Sequence, residues 1–425
     1  MLLSENKNAL SAHKYDEQLK LLYGETEIST ARLVHSCDEF EKLYGGDHDV
    51  RFFSAPGRTE VGGNHTDHQH GCVLAGSVNL DVIAVAAKND GNVIRIKSAG
   101  YNMDTVDTLN VEVVPENEGK AISLIRGMCD AVLKAGYKIG GFDAYTTSNV
   151  LKGSGLSSSA AFEVLIGNMI NTFFNDGKIP AVEIAKMAQY AENVHFGKPC
   201  GLMDQMASSV GGFTAIDFAD NKNPIIERVD FDLAKQGYSL VIVNTGGNHA
   251  DLTNDYADIT NEMKSVSRLF GKEVLRDVDE EQFMLSLASV REKCGDRALV
   301  RALHFFNENK RAIAEKEALK TGDFDEFLRL VRESGLSSFM FLQNVYSPSA
   351  PQAQGLPIAL ALSGSVLGGE GAYRVHGGGF AGTVQAFVPM EKLSDYINEM
   401  EVVFGDGCCH ILNIRPVGGY AFEEN

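Results

Sequence analysis

The chain has 425 residues, 44% of them hydrophobic and 22% charged, which is ordinary for a globular enzyme and long enough for two domains. Its 38 basic and 57 acidic residues give a net charge of −19, which argues against a broad nucleic-acid-binding face but allows a local phosphate pocket. No apolar run reaches the ~20 residues of a membrane span, the opening MLLSENKNALSAHKYDEQLK lacks an apolar signal core, and the seven cysteines form no CxxC pair. The expectation is therefore a cytoplasmic protein with reduced thiols and neither a nucleic-acid nor a membrane partner.

In chain order, the first 49 residues are polar with scattered apolar positions and predict one or two short helices. VRFFS, from Val50, reads as a short strand. The apolar runs VLAGSVNLDVIAVAAK and NVIRIKSA flank Asn89-Asp90-Gly91, an Asx-Gly signal that predicts a hairpin. Helical spacing of Ile122, Ile125, Met128, Cys129 and Val132 predicts a helix over 120–135, followed by the strand GFDAYTTS. A long helix is predicted from Ser157 or Ser158, buried along Ala161, Val164, Leu165, Met169 and Phe173, and another over 181–195. Strands resume at GFTAIDF, IIERVDF and SLVIVNT. Charged amphipathic helices then fill 253–343, and strand-like runs return at AYRVH and GTVQAFV. Such a pattern predicts an α+β protein of two domains, placed here at 1–230 and 231–425.

Four stretches carry chemical signals. SAPGRTEVGGNHTDHQHG, residues 54–71, concentrates glycines, an arginine and three histidines; the spacing of His65, His68 and His70 suits a metal site, and the Pro-Gly-Arg opening suits a ligand loop. In LKGSGLSSSAAF, residues 151–162, glycines permit close backbone approach and serines stand at a helix start, where free amides attract an anion. It lacks the GK[ST] ending of a Walker A loop, and a plain loop with a helix cap is the competing reading. In FGKPCGLMDQMASSVGG, residues 196–212, Asp204 sits among apolar neighbours, as a helix cap or as a carboxylate held for proton transfer. Glu192, twelve residues earlier, is either a ligand for a hard cation or part of a solvated helix face. HGGGFAGT, from His376 to Thr383, is too glycine-rich for a core strand and reads as a loop or a close approach to ligand.

In this order and separation, with AENVHFGKPCGLMDQ and NTGGNHADLTNDY between them, the stretches resemble the GHMP kinase family from Val50 onward, and within it the galactokinases. The resemblance implies a two-domain GHMP kinase fold, with a ribosomal protein S5 domain 2-like N-terminal domain, an α/β-plait-type C-terminal domain and the active site in the cleft between them. It implies transfer of the γ-phosphoryl of ATP to the anomeric hydroxyl of a small-molecule sugar. Gly153, Ser154, Gly155, Leu156, Ser157, Ser158 and Ser159 would wrap the ATP phosphates, and Ser158 or Ser159 with Glu192 would meet Mg²⁺. Asp204 matches the family's proposed base and Arg58 the arginine beside the reacting hydroxyl. Asn64, His65, Asp67, Gly201 and Tyr256 match positions that hold sugar hydroxyls, and Gly377, Gly378 and Gly379 would shape the cleft.

The chain departs from the galactokinase pattern GEHTDYNGG, reading GNHTDHQHG, and places His376 at a usual threonine and Ala381 at a usual glycine. Catalysis is kept and the sugar shell altered, so a kinase for a uronic acid or arabinose is the alternative, and a non-catalytic sugar and ATP sensor a further one. A zinc site at the three histidines competes with ordinary, satisfied side chains for His68 and His70. A monomer or weak homodimer is expected.

Overall fold

The computed structural model of the protein describes residues 1–151, 155–247 and 252–423. Its strands form two sheets. The first takes β1 (Val50–Gly62), β2 (Cys72–Lys88), β3 (Val93–Ser98), β4 (Met103–Asp107), β5 (Phe142–Ser148), β6 (Phe213–Asp217) and β7 (Ile225–Val229). The second takes β8 (Tyr238–Asn244), β9 (Ala372–Val375), β10 (Thr383–Pro389) and β11 (Cys409–Leu412), in the order β11-β8-β10-β9. A last strand, β12 (Tyr420–Ala421), returns to the first sheet and pairs with β1. Residue 230, where the sequence suggests a boundary, falls between β7, the last strand before the second sheet, and β8.

The long strand β2 organises the first sheet. It pairs antiparallel with β1, and on its other side with β5 at Val82–Lys88 and with β6 at Cys72–Gly76. The hairpin expected at Asn89-Asp90-Gly91 does not form, because β5 lies between β2 and β3, antiparallel to the first and parallel to the second. Asn89 instead ties the inserted strand, donating from Nδ2 to Val93 O at 3.0 Å and to Asp143 Oδ1 at 3.2 Å. A run buried on both faces needs covering layers, which a two-stranded ribbon lacks.

Those layers follow from the two-residue period of a strand. Val82, Ala84 and Ala86 face the main core with the helix Ser158–Phe174, whereas Ile83, Val85 and Ala87 face a second cluster with Leu19, Leu22, Leu33 and Phe40. The second cluster belongs to the N-terminal segment, which forms three helices, Leu3–Ser11, Asp16–Tyr23 and Glu27–Tyr44, rather than the one or two short ones expected. Sealing a sheet face is what its scattered apolar residues do, at roughly 1.5–3 kcal/mol for each large side chain buried. The seal is locked by a buried polar knot. Asp81 accepts from the Tyr23 hydroxyl at 2.7 Å and faces both Arg32 and Arg415, the last at 3.3 Å.

The expected helix over 120–135 is present as Ala121–Lys134, and the expected strand GFDAYTTS as β5. The helix expected over 181–195 is regular only over Ala181–Tyr190 and then widens into a π-turn, Ala191–Phe196, which contains Glu192. Wide turns of this kind often mark functional positions. Between β8 and β9 the chain is helical, including Thr253–Leu269, Asp296–Thr321 and Phe324–Ser337. From the last of these, Phe327 meets Phe213 of the first sheet at 6.4 Å and Phe387 of the second at 5.2 Å between ring centroids, so one apolar core continues across both sheets.

Candidate active site

The strand β1, expected to be a short one at VRFFS, does not stop at Ser54 but runs to Gly62. It continues through irregularities at Pro56/Arg58 and Glu60/Gly62, and bulges of this kind accommodate proline and glycine while re-aiming side chains. Gly57 is needed there: a Cβ would lie 2.8 Å from Leu156 O of the serine-rich loop. The close approach lets Arg58 N–H donate to Leu156 O at 2.9 Å. Arg58 then donates from Nε to Asp204 Oδ1 at 2.7 Å, places Nη2 at 2.7 Å from the same oxygen, and donates from Nη1 to Gly155 O.

Asp204, in the first turn of the helix Met203–Val210, accepts on its other oxygen, Oδ2, from Ser157 Oγ at 2.7 Å. Ser157 has φ 57°, a left-handed conformation uncommon outside glycine, which turns its hydroxyl onto the aspartate. Burial acts to raise the Asp204 carboxyl, but the Arg58 guanidinium and the Ser157 hydroxyl outweigh it and hold the group below the usual carboxylate range. Beside this pair lies a cavity of about 250 Å³ whose lining includes Arg58, Gly155, Ser157, Ser158, Ser159, Lys198 and Asp204. Gly153 and Ser154 lie outside the described residues.

The π-turn brings Glu192 to the same place. Its Oε1 accepts from Ser159 Oγ at 3.2 Å and from Lys198 Nζ at 3.3 Å, and its Oε2 from Gln205 Nε2 at 2.7 Å. Gln205 also reaches Glu163, fully buried on the helix behind, at 3.3 Å. Burial first, and the charge of Glu192 second, push the Glu163 carboxyl well above its ordinary range, and its Oε1 has no hydrogen-bond partner. The buried Glu192 carboxylate and the Ser159 hydroxyl that meets it are hard oxygen donors of the kind a divalent cation prefers, so these two residues fit Mg²⁺. Ser158 opens the helix and lines the cavity.

The GNHTDHQHG motif is placed differently. Asn64 is fully buried: Nδ2 donates to Glu60 Oε1 and to Gly377 O, each at 2.7 Å, and Oδ1 accepts from Asn344 Nδ2 at 2.9 Å and Ser338 Oγ at 3.2 Å. Both amide hydrogens and both lone pairs are in use, and Glu60 is itself paired with Arg374 at 2.8 Å. His65 lies 3.0 Å by Nε2 from Gly378 O. Burial, then neighbouring His68, lower its pKa to about 4, so the ring is neutral at pH 7, Nε2–H donates and Nδ1 is left as an acceptor.

Asp67 and Gly201 meet: a Cβ on Gly201 would fall 2.7 Å from Asp67 Oδ2. The Tyr256 hydroxyl donates to Gly379 O at 3.0 Å, and its ring comes within 2.5 Å of where a Gly378 Cβ would stand, which is why glycine is required there. His376 is buried beside Gly155 of the serine-rich loop, its Nε2 3.0 Å from Thr59 Oγ1 and its Nδ1 3.0 Å from Thr383 Oγ1. Among the described residues no group of three or more His, Cys, Asp or Glu side chains is arranged around a common metal position. The zinc reading of His65, His68 and His70 therefore finds no geometry behind it, and His68 lies 3.6 Å from Asp67 instead.

The structure thus joins Arg58, Asp204, Ser157, Ser159 and Glu192 in one group and His65, Asp67, Gly201, Tyr256 and Gly377–Gly379 in another, with Asn64 behind the second. Lys198, Gln205, Glu163 and Asn344 had no role assigned from the sequence. Lys198 had a signal there, being a lysine in a glycine-flanked turn between Glu192 and Asp204; the other three depend on long-range packing.

Comparison with known proteins gives two family matches. The GHMP kinases N terminal domain matches residues 123–212 and the galactokinase galactose-binding signature matches residues 38–88. Among solved structures, Lactococcus lactis galactokinase complexed with galactose is 22% identical at a TM-score of 0.76, over 92% of this chain and 99% of that one. A D-glycero-D-manno-heptose 1-phosphate kinase from Bacteriodes thetaiotaomicron is 17% identical at 0.59, over 89% and 100%. Methanococcus jannaschii mevalonate kinase is 15% identical at 0.60, over 87% and 99%. At these identities the structures share the fold.

Proposed function

We propose that this chain, a GHMP kinase carrying a galactokinase galactose-binding signature, transfers the γ-phosphoryl of ATP to the anomeric hydroxyl of galactose, giving galactose 1-phosphate and ADP. The observation that carries the reading is the Arg58–Asp204 pair beside a serine-lined cavity, within a chain whose segment 38–88 matches the galactose-binding signature.

In this reading Asp204 is the proton acceptor. The sugar hydroxyl takes the place of the Ser157 hydroxyl on Oδ2, while Arg58 keeps Oδ1 and fixes the carboxylate plane. A carboxylate held below its usual range is a weak base. Phosphoryl transfer, however, passes through a loose transition state that asks more for orientation and charge balance than for a strong base. The new bond joins the sugar oxygen to phosphorus, the bond from phosphorus to the leaving ADP oxygen breaks, and the hydroxyl proton ends on Asp204. Amides at the start of Ser158–Phe174 and the hydroxyls of Ser157–Ser159 hold phosphate oxygens. Glu192 with Ser158 or Ser159 would hold Mg²⁺, which when bound screens the phosphate charge.

His65 Nδ1, Asp67, the backbone at Gly201 and Tyr256 orient the sugar. Asn64 acts from behind them: with its amide fully hydrogen-bonded, it fixes Gly377 and the strand carrying Glu60 and does not meet the substrate. Its departure from the galactokinase glutamate therefore gives no support to a sugar-acid substrate. Seven free cysteines suit a reducing compartment, which supports reading the enzyme as cytoplasmic, and as a monomer or weak homodimer.

An ADP-coupled assay across a sugar panel tests the reading. Turnover is expected with galactose. A higher kcat/KM for galacturonic acid or arabinose would overturn the choice of sugar, and sugar binding with no turnover on any member would overturn the kinase.

A further inference from the structure

The cavity beside Asp204 contains a cation that the mechanism above does not use. Lys198 lines it together with Arg58, Ser157, Ser158, Ser159 and Asp204. Arg58 already has its Nε and both Nη nitrogens committed to Asp204 and Gly155 O, so its charge is largely neutralised inside the protein. With Arg58 and Asp204 offsetting each other, a transferring phosphoryl group brings uncompensated negative charge into the cavity. Phosphoryl transfer calls for a preorganised cation at that position. Among the described residues lining the cavity, Lys198 is the lysine available for it.

Its two ends are held very differently. At the backbone, the Lys198 N–H donates to Glu192 O at 3.2 Å, closing the π-turn just after Gly197, which has φ 80°. At the tip, the side chain is 64% exposed and tied by one contact, Nζ to Glu192 Oε1 at 3.3 Å. With its ammonium largely in water and this single ion pair reaching the buried Glu192 carboxylate, the tip of the side chain can swing toward the cavity while its base stays registered against it.

We propose that Lys198 is a phosphate-binding residue, its ammonium pairing with Glu192 in this structure and with the terminal phosphates of the nucleotide during the reaction. The proposal rests on the nucleotide-kinase reading of the cavity, though not on galactose being the sugar.

Lys198→Met and Lys198→Arg test it through ADP binding by calorimetry, in EDTA and again with Mg²⁺, alongside steady-state kinetics. Loss of a charge-assisted phosphate contact should weaken ADP binding in EDTA by about 10-fold and lower kcat by about 10- to 100-fold in Lys198→Met. The KM for galactose should stay within about 2-fold and Lys198→Arg should recover most of the ADP affinity. Equal ADP affinity of wild type and Lys198→Met in EDTA would overturn the proposal, including the case where only the Mg²⁺-dependent affinity changes, since that marks a lysine that merely positions Glu192. If wild type phosphorylates no galactose while Lys198→Met still weakens ADP binding, the sugar assignment falls and the role of Lys198 stands.

Discussion

Around Asp204 the polar side chains face a cavity; around Asn64 they face one another. The first region leaves Ser157, Ser159, Lys198 and Glu192 joined by few, exchangeable contacts, several of them to groups that a substrate could replace. The second uses every hydrogen-bonding atom of the Asn64 amide on Glu60, Gly377, Asn344 and Ser338. A partly open network is poised for ligands, and a closed one fixes shape. Two motifs that look alike in sequence, each rich in glycine and polar residues, are therefore expected to answer mutation differently, one through rate and the other through stability.

The sharpest separation should come from Asp204→Asn and Asn64→Glu. Asp204→Asn keeps the size of the side chain but removes the proton acceptor and the partner of Arg58. A fall in kcat of about 10³-fold is expected, within the range for loss of a general base, with ADP affinity nearly intact. Residual kcat within 10-fold of wild type would remove Asp204 from the chemistry. Asn64→Glu inserts a carboxylate where the amide now donates to Glu60 Oε1 and Gly377 O, two acceptors at 2.7 Å. With no donor left to offer, it should destabilise the fold by about 3–5 kcal/mol, as for other unpaired buried charges. Urea denaturation checks this. A variant as stable as wild type but with a changed sugar preference would put residue 64 on the pocket wall and erase the contrast drawn here.

The contrast also explains what could be read in advance. The serine-rich loop, Arg58 and Asp204 are short-range motifs whose chemistry depends on residue type, and each lies in a stretch that stood out in the sequence. The position of Asn64 depends on Ser338, Asn344 and Gly377, more than 270 residues away along the chain, and no local pattern encodes such a closure. The same limit accounts for the hairpin: Asn89-Asp90-Gly91 does turn the chain, but the partner of β2 is β5, supplied after a helix. Pro56-Gly57-Arg58 reads as a loop because loop residues and bulge residues are the same residues, and only the packing of Leu156 O against Gly57 distinguishes them.

A smaller effect should appear as a pH dependence of stability. His65 titrates at about 4 in the folded protein against 6.5 for an ordinary imidazole. The unfolded chain therefore binds more protons between these values, and the stability that neutral His65 contributes is complete above about pH 6.5 and lost as pH falls toward 4. The difference corresponds to at most about 3–4 kcal/mol. Denaturation of wild type and His65→Gln at neutral and mildly acidic pH should give a shallower pH slope for the variant. Parallel slopes would mean that His65 takes up its proton in the folded state and lies on the open side of the site.

The least drastic change, Tyr256→Phe, probes where the two regions meet. The Tyr256 hydroxyl donates to Gly379 O at 3.0 Å, and the ring packs edge-on to Phe380 at 5.4 Å between centroids. Phenylalanine keeps the ring contacts and leaves one carbonyl without its donor, so the loss in stability should be about 1 kcal/mol. If the hydroxyl also orients the sugar, the KM for galactose should rise by a further few-fold at nearly constant kcat, because losing a contact made equally in ground and transition states lowers affinity without changing the barrier from the bound complex. A stability loss with unchanged KM would assign Tyr256 to the closed network of Asn64. A raised KM with unchanged stability would assign it to the substrate, and steady-state kinetics beside urea denaturation of the same preparation distinguish the two.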